Sequence, residues 1–253
     1  MHTIDYLKDN ISSVSLVDRM EQDPALKTVN SARISYNKIK ETYDEKDKKL
    51  ASFLWNHEHT SPFRHSYFTF HVKAPLFIFR QLMKYQVGSG FRTYEVDGKE
   101  IKLEVFDHFY DTDKGCSWNE ISGRYTQTSE EFYVPAVARA NPPHGNKQAS
   151  EDIPPDSRLH DIMKTEMGII ATSAKNTYDF LIRMGVAKEV ARMILPQNIY
   201  SEAYWTVSLQ SIIHFLHQRL KPDAQYEIRL LAEGIYQLME GTLNKLGITK
   251  ELL

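Results

Sequence analysis

Ser66-Tyr-Phe-Thr-Phe-His-Val-Lys73 alternates between apolar and polar side chains. Phe68, Phe70 and Val72 fall on one side, and Thr69, His71 and Lys73 on the other. That two-residue period is the mark of a half-buried strand. Ala74-Pro75 follows, and proline suits the first turn of a helix. The predicted helix carries Phe77, Arg80, Gln81 and Lys84. Helical spacing puts Arg80 and Lys84 on one face and Gln81 beside Tyr85. A strand that runs straight into such a helix can aim polar side chains into one cleft.

Outward from this unit the chain reads as a mixture of helices and short strands. Asp44 to His57 is predicted helical, with acids crowding its first turn. Asp97-Gly98 is a hairpin turn signal, followed by alternation at Ile101, Leu103 and Val105. Asp111 to Gly115 is a polar loop, and Glu131 to Val134 is extended. Asn141 to Pro155, rich in proline and polar residues, predicts a surface loop. A long helix is predicted from Ser157 to Met184, stopping at Gly185, and a short one from Lys188 to Leu195. Tyr200 to Val207 reads as a strand. Ser208 caps a helix that runs to Arg219, and Asp223 caps the last helix, up to Leu246-Gly247.

Composition narrows the class. The 253 residues are 42% hydrophobic, ample for a core, and the net charge is -2. That balance argues against a general nucleic-acid or membrane-surface binder. No apolar run approaches the roughly 20 residues of a membrane span, and the polar N-terminus is not a signal peptide. With one cysteine, Cys116, neither a disulfide framework nor a multi-Cys zinc site can form. The expectation is a soluble, intracellular protein of the α/β (α+β) class, a single domain over residues 1–253.

The candidate chemistry centres on Asn119-Glu120-Ile121-Ser122-Gly123-Arg124-Tyr125. A carboxylate, a hydroxyl, a flexible glycine and a guanidinium lie within five residues. Glycine admits close approach of a ligand, and arginine presents a planar fork that suits phosphate. Arg192 lies within the apolar run Val190 to Leu195, and Arg219 at a helix end. Structural ion pairing or a snorkelling side chain is the plain alternative for each arginine. His57, His59 and His65 cluster without the ligand number and spacing that zinc requires, so no metal is expected. Nothing near Cys116 marks an activated thiol. Ser122 lacks a Ser-His-Asp partnership, and neither a dinucleotide fingerprint nor a Walker loop is present.

Three segments in order, Phe68 to Pro75 running into Arg80-Gln81, Asn119 to Tyr125, and Glu189-Val-Ala-Arg-Met-Ile-Leu-Pro196, resemble the flavin-dependent thymidylate synthases. The resemblance runs from about Leu16 to about Glu227. It implies a central mixed sheet flanked by long helices, and reductive methylation of dUMP to dTMP. FAD would be the cofactor, with NADPH and methylenetetrahydrofolate as co-substrates. It also implies a homotetramer whose active sites are built by several chains, and a cytoplasmic location, or the host cytoplasm for a viral chain. By resemblance Arg124 and Arg192 hold the nucleotide phosphate, and Arg219 faces the pyrimidine ring as the catalytic candidate. Gln81, Lys84, Glu120, Ser122 and Gly123 match further nucleotide positions. Ser61, Arg64, Lys84, Tyr85, Gln86, Glu120, Ser208, Gln210 and His214 fall at flavin positions.

The sequence departs from the family at four places. Its Arg-His-Arg signature is Lys84-Tyr85-Gln86 here. A flavin-contacting arginine is Gln210 and its asparagine neighbour is Ser208. Arg64 replaces the usual glutamate before His65. A short loop is expanded into a segment at about 90–118, a hairpin or binding loop whose aromatics (Phe91, Tyr94, Phe106, Phe109, Tyr110) would cover flavin or folate, or else a peripheral hairpin. A rebuilt flavin pocket fits these changes. So do a relative acting on another pyrimidine nucleotide such as dCMP, by methylation or hydroxymethylation, and a nucleotide-binding homologue without catalysis.

Overall fold

The computed structural model describes residues 2–85, 90–96, 99–105, 116–126, 129–141 and 150–253; for 90–96, 99–105 and Cys116 the description is of the backbone alone. In chain order the strands are β1 (Thr3–Ile4), β2 (Ser13–Arg19), β3 (Tyr67–Pro75), β4 (Gly90–Val96), β5 (Lys99–Val105), β6 (Cys116–Glu120), β7 (Arg139–Ala140), β8 (Glu151–Asp152) and β9 (Tyr200–Ser208). The helices are α1 (Pro24–Arg33), α2 (Glu45–Asn56), α3 (Leu76–Leu82), α4 (Leu159–Arg183), α5 (Lys188–Ala191), α6 (Leu209–Arg219) and α7 (Tyr226–Lys245). Five strands form one sheet in the order β1-β2-β3-β9-β6. The α+β class stands as expected. The sheet, predicted as mixed, is antiparallel in every one of its pairings.

The opening stretch occupies the sheet's centre. β3 pairs with β9 over nine positions, from Tyr67 opposite Ser208 to Pro75 opposite Tyr200. Alternation decides which side is buried. Phe68, Phe70, Val72 and Ala74 point inward with Ala203, Trp205 and Val207, all nearly fully buried. The Phe70 and Trp205 rings lie 5.8 Å apart, and Phe215 of α6 meets the Trp205 ring edge-on at 5.7 Å. One connected apolar core joins this face to α1, α3, α6 and α7. Burying each such aromatic is worth about 2–3 kcal/mol, enough to hold β3 in register. On the opposite face Thr69 and Thr206 share a hydrogen bond of 2.9 Å, and His71 Nε2 meets Glu202 at 3.0 Å.

Local signals explain the elements next to the site. Pro75 is the residue before α3, extended at φ -60 and ψ 145, rather than part of its first turn. α3 stops at Leu82, so Lys84 lies beyond the helix and is exposed. Ser208 caps α6 as predicted, its hydroxyl accepting from the Ser211 amide at 3.3 Å. The cap residue of α7 is Gln225, not Asp223. The helix predicted from Lys188 to Leu195 is α5 followed by a tighter 3-10 turn, Arg192–Ile194. Gly185 and Gly247 take φ +87 and +75 after α4 and α7, left-handed turns that glycine adopts without penalty.

The Asp97-Gly98 signal is matched by β4 and β5, which pair from Gly90 opposite Val105 to Val96 opposite Lys99. The segment then supplies β6, the edge strand beside β9. The proposed covering role of Phe91, Tyr94, Phe106, Phe109 and Tyr110 lies outside the described side chains. So do Gln86, the 111–115 loop and the Cys116 thiol.

Candidate active site

The cassette leaves the sheet where β6 ends. The Ile121 amide donates to the Glu202 carbonyl at 2.9 Å, and the chain then folds into a turn. The Ser122 carbonyl accepts from the amides of Tyr125 and Thr126 at 3.0 and 3.1 Å, and its hydroxyl accepts from the Arg124 amide at 3.3 Å. Serine therefore builds the turn it sits in, as hydroxyl side chains do in such loops. α5 tethers the turn from outside. Arg124 Nε meets Glu189 Oε2 at 3.3 Å, and Lys188 Nζ donates to the Tyr125 carbonyl at 3.2 Å. Two segments distant in sequence, 119–125 and 189–196, are thus neighbours.

Between them lies a cleft of about 300 Å³, whose walls include Glu120, Gly123, Arg192, Ser201, Glu202 and Lys73. Glu120 accepts from the Ser201 hydroxyl at 2.9 Å, which fixes its carboxylate at the end of the sheet. Lys73 is neutralised by Glu131 at 2.7 Å, with Glu202 at 3.9 Å. Arg192 is exposed rather than buried in its apolar run, and among the described residues it has no carboxylate partner. An unpaired guanidinium on a cleft wall beside a glycine turn is suited to an anion.

A second group gathers along α6 and the start of α7. Tyr85, 8% exposed, packs its ring against His214 at 5.6 Å and Phe215 at 5.0 Å. The Arg219 guanidinium carbon lies 5.4 Å from the Tyr85 ring centre, a cation–π distance. Burial raises the Tyr85 phenol above its ordinary pKa, and the Arg219 charge and hydrogen bond oppose that shift. The Arg219 Nε is buried and has no hydrogen-bond partner among the described residues. Gln81 Nε2 donates to Gln225 Oε1 at 2.6 Å. Gln81, Tyr85, His214 and Arg219 do not line the 300 Å³ cleft.

The expected flavin positions divide by exposure. Ser61 and Arg64 are exposed on the 3-10 turn Ser61–His65, anchored by the buried Pro62 and Phe63. The Ser66 carbonyl at the end of that turn accepts from the Leu209 amide at 2.9 Å, which joins it to the start of α6. Ser208 and Gln210 are each 3% exposed. Ser208 spends its hydroxyl on the helix cap, and Gln210 holds a buried amide oxygen without a partner among the described residues. His57 Nδ1 donates to the Phe53 carbonyl at 2.9 Å and its ring stacks on the Phe53 ring at 4.0 Å, while His59 meets the same ring edge-on at 6.2 Å. Among the described residues no three His, Cys, Asp or Glu side chains converge as metal ligands.

Sequence reading missed several residues of the site. Lys73, Glu131, Ser201 and Glu202 line the cleft, yet none of them was singled out, although the strand-helix unit was expected to aim polar side chains into a cleft. The signal was the unusual charge of that side, with His71 and Lys73 close together on one strand. Lys188, Glu189, Gln225 and Glu227 act through contacts with segments distant in sequence, which no local pattern announces.

An α+β chain with a charged cleft at one sheet end and an aromatic-cationic group on the adjoining helices suits a nucleotide-processing enzyme. The chain belongs to the Thy1 family, described as thymidylate synthase complementing protein, which it matches over residues 15–243. It is similar to proteins named flavin-dependent thymidylate synthase. One, from Thermus thermophilus, is 37% identical over 227 residues, covering 90% of this chain and 71% of that protein. Another, from Thermosipho africanus, is 35% identical over 230 residues, covering 89% and 84%. Among solved structures, the UMP/dUMP methylase PolB from Streptomyces cacaoi, bound with 5-Br dUMP, has a TM-score of 0.71 at 27% identity. The match covers 95% of this chain and 94% of that one. No helix among the described residues is long and apolar enough to cross a membrane.

Proposed function

We propose that this chain is a flavin-dependent thymidylate synthase, converting dUMP to dTMP with FAD as cofactor and methylenetetrahydrofolate and NADPH as co-substrates. Beside family membership, one observation carries the reading. Arg192, without a carboxylate partner among the described residues, shares a cleft with Gly123 and Glu120, although the sequence separates them widely. In this reading Arg192 and Arg124 hold the nucleotide phosphate, and the Ser122-Gly123 turn approaches it through the backbone. Arg219 takes the pyrimidine ring. C5 of uracil is a weak nucleophile, and a guanidinium aimed at a ring oxygen stabilises the charge that develops there.

The donor set along α6 fits a flavin nucleotide. Exposed Arg64 and Lys84 supply positive charge for a diphosphate, and half-buried His214, backed by the buried Tyr85 ring, offers a ring. Ser61 adds a hydroxyl, while buried Ser208 and Gln210 support the helix beneath. When bound, reduced flavin supplies a hydride; the protein supplies orientation and charge.

The cleft with Arg192 and the group along α6, which holds the nucleotide positions Gln81 and Arg219 beside the flavin positions, lie on different elements, and the reading has them meet across subunit boundaries in a homotetramer. Exposed apolar residues on α4, Ile162, Ile169, Ile170 and Phe180, support that assembly. The expected compartment is the cytoplasm, where nucleotide precursors are made. The test is incubation with FAD, NADPH, methylenetetrahydrofolate and, separately, dUMP, UMP and dCMP, with products identified by mass. Methylation of dUMP is expected. Retention of no flavin, or modification of dCMP in place of dUMP, would overturn the reading.

A further inference from the structure

A relay of hydrogen bonds runs from the core to Gln81. The Tyr133 hydroxyl donates to Glu227 Oε1 at 3.2 Å. Gln225 Nε2 donates to Glu227 Oε2 at 3.0 Å. Gln81 Nε2 then donates to Gln225 Oε1 at 2.6 Å. The three anchoring elements are far apart in sequence: the 131–134 segment, the start of α7, and α3. Glu227 is 6% exposed and sits in the first turn of α7, where a carboxylate is favoured by the helix dipole.

The order of donors and acceptors has one root. A carboxylate only accepts. Gln225 must therefore turn its NH2 group to Glu227 and its carbonyl outward. Gln81 must in turn meet that carbonyl with its own NH2. A glutamine amide on its own has two nearly equal flips, because its two ends are similar in size. The carboxylate selects one flip at Gln225, and Gln225 transmits the choice to Gln81. What Gln81 then presents is its carbonyl oxygen and one remaining N–H. We infer that Gln225 and Glu227 are positioning residues that set the orientation of the Gln81 amide toward the nucleotide, a role that rests on the nucleotide site proposed above. The oxygen is matched to a donor such as a sugar hydroxyl or ring N–H, and the remaining N–H to an oxygen acceptor.

The test is dUMP binding by calorimetry and steady-state kinetics on the full chain, with thermal unfolding to confirm that each variant is folded. The variants are Gln81→Ala, Gln225→Ala, the double variant, and Glu227→Gln. Gln225 is exposed and its side chain makes no helix-cap hydrogen bond, so its replacement leaves α7 intact. Gln81→Ala and Gln225→Ala should each weaken dUMP binding by roughly two- to tenfold, the effect of one hydrogen bond. The double variant should be no worse than Gln81→Ala alone, because both changes remove the same oriented contact. The loss should appear in KM for dUMP with kcat nearly retained. Glu227→Gln, whose amide can donate or accept, should release the flip and give a smaller loss. Additive losses in the double variant would overturn the relay. So would unchanged binding in Gln225→Ala, or in Gln81→Ala. A wild-type chain that binds no dUMP would instead refute the nucleotide site itself.

Discussion

Arg192 and Arg219 show how differently two arginines can be placed by one fold. Arg192 stands exposed on the cleft wall without a carboxylate partner among the described residues, whereas Arg219 is half-buried with its guanidinium over Tyr85. Losing a hydrogen bond to a charged group costs about 1.5–3 kcal/mol. Arg192→Ala should therefore weaken dUMP binding by about tenfold to a hundredfold, and calorimetry measures it directly. Arg219→Ala should lower kcat more than it weakens nucleotide binding. Equal losses of affinity at the two positions, with no added loss of rate at Arg219, would remove the proposed division of roles. Both arginines were legible as candidates because a guanidinium amid apolar neighbours or at a helix end is conspicuous. Their surroundings were not: Arg192 is exposed together with its apolar neighbours Val190, Met193 and Ile194, and Arg219 lies over the Tyr85 ring. Glu202 and Lys73 were illegible for the opposite reason, since charged residues on a strand ordinarily face water.

The element that tests local reasoning best is α2. Asp44 caps it, accepting from the amides of Lys46 and Asp47, and Asp47 returns the bond by accepting from the Asp44 amide at 2.8 Å. Acids in that first turn were legible from the sequence. Their tertiary use was not. The buried Asp47 also pairs with Arg33 at the end of α1 and with Lys40 Nζ at 2.7 Å, tying two helices together. α1 itself carried no reading, although Asp23 caps it. Removing one partner from a buried ionic cluster leaves charge uncompensated, so Asp47→Ala should destabilise the fold by about 3 kcal/mol, read from denaturant unfolding. The pH dependence follows the same groups. The hydrogen bond from Lys40 lowers Asp44 from 3.8 to about 2. Burial works against ionisation of Asp47, but Lys40, the Asp44 amide and Arg33 outweigh it and its pKa is also lowered. A depressed carboxylate contributes stability that is complete above its unfolded pKa and lost as pH falls through the folded one. The wild-type chain should lose this contribution between about pH 4 and pH 2, and Asp47→Ala should show a shallower loss over that window. An identical acid profile in the two proteins would exclude the cluster as its source.

At the scale of the molecule, α4 is out of balance with the rest. Its 25 residues bury only His160, Ala171 and Tyr178 among their neighbours, although the helix is long enough to span a small domain. Leu159, Ile162, Ile169, Ile170, Phe180 and Met184 are all about half exposed or more, and helical spacing sets them on one stripe. An apolar stripe of this kind is a surface that a second chain would cover. The two groups of site residues give that covering a purpose, because the cleft with Arg192 includes neither Gln81 nor Arg219. The helix itself was legible from its period. Its unpartnered face was not, since an apolar stripe in sequence predicts contact with the chain's own core. The combined variant Ile169→Lys and Phe180→Asp should therefore keep the fold, because neither side chain is buried in the chain's core, while reducing the molecular mass measured by light scattering. Turnover per chain should fall with assembly and should recover in part at high protein concentration, where mass action restores the complex. A wild-type protein that remains monomeric during full turnover, or a monomeric variant as active as wild type, would show that one chain carries the whole site.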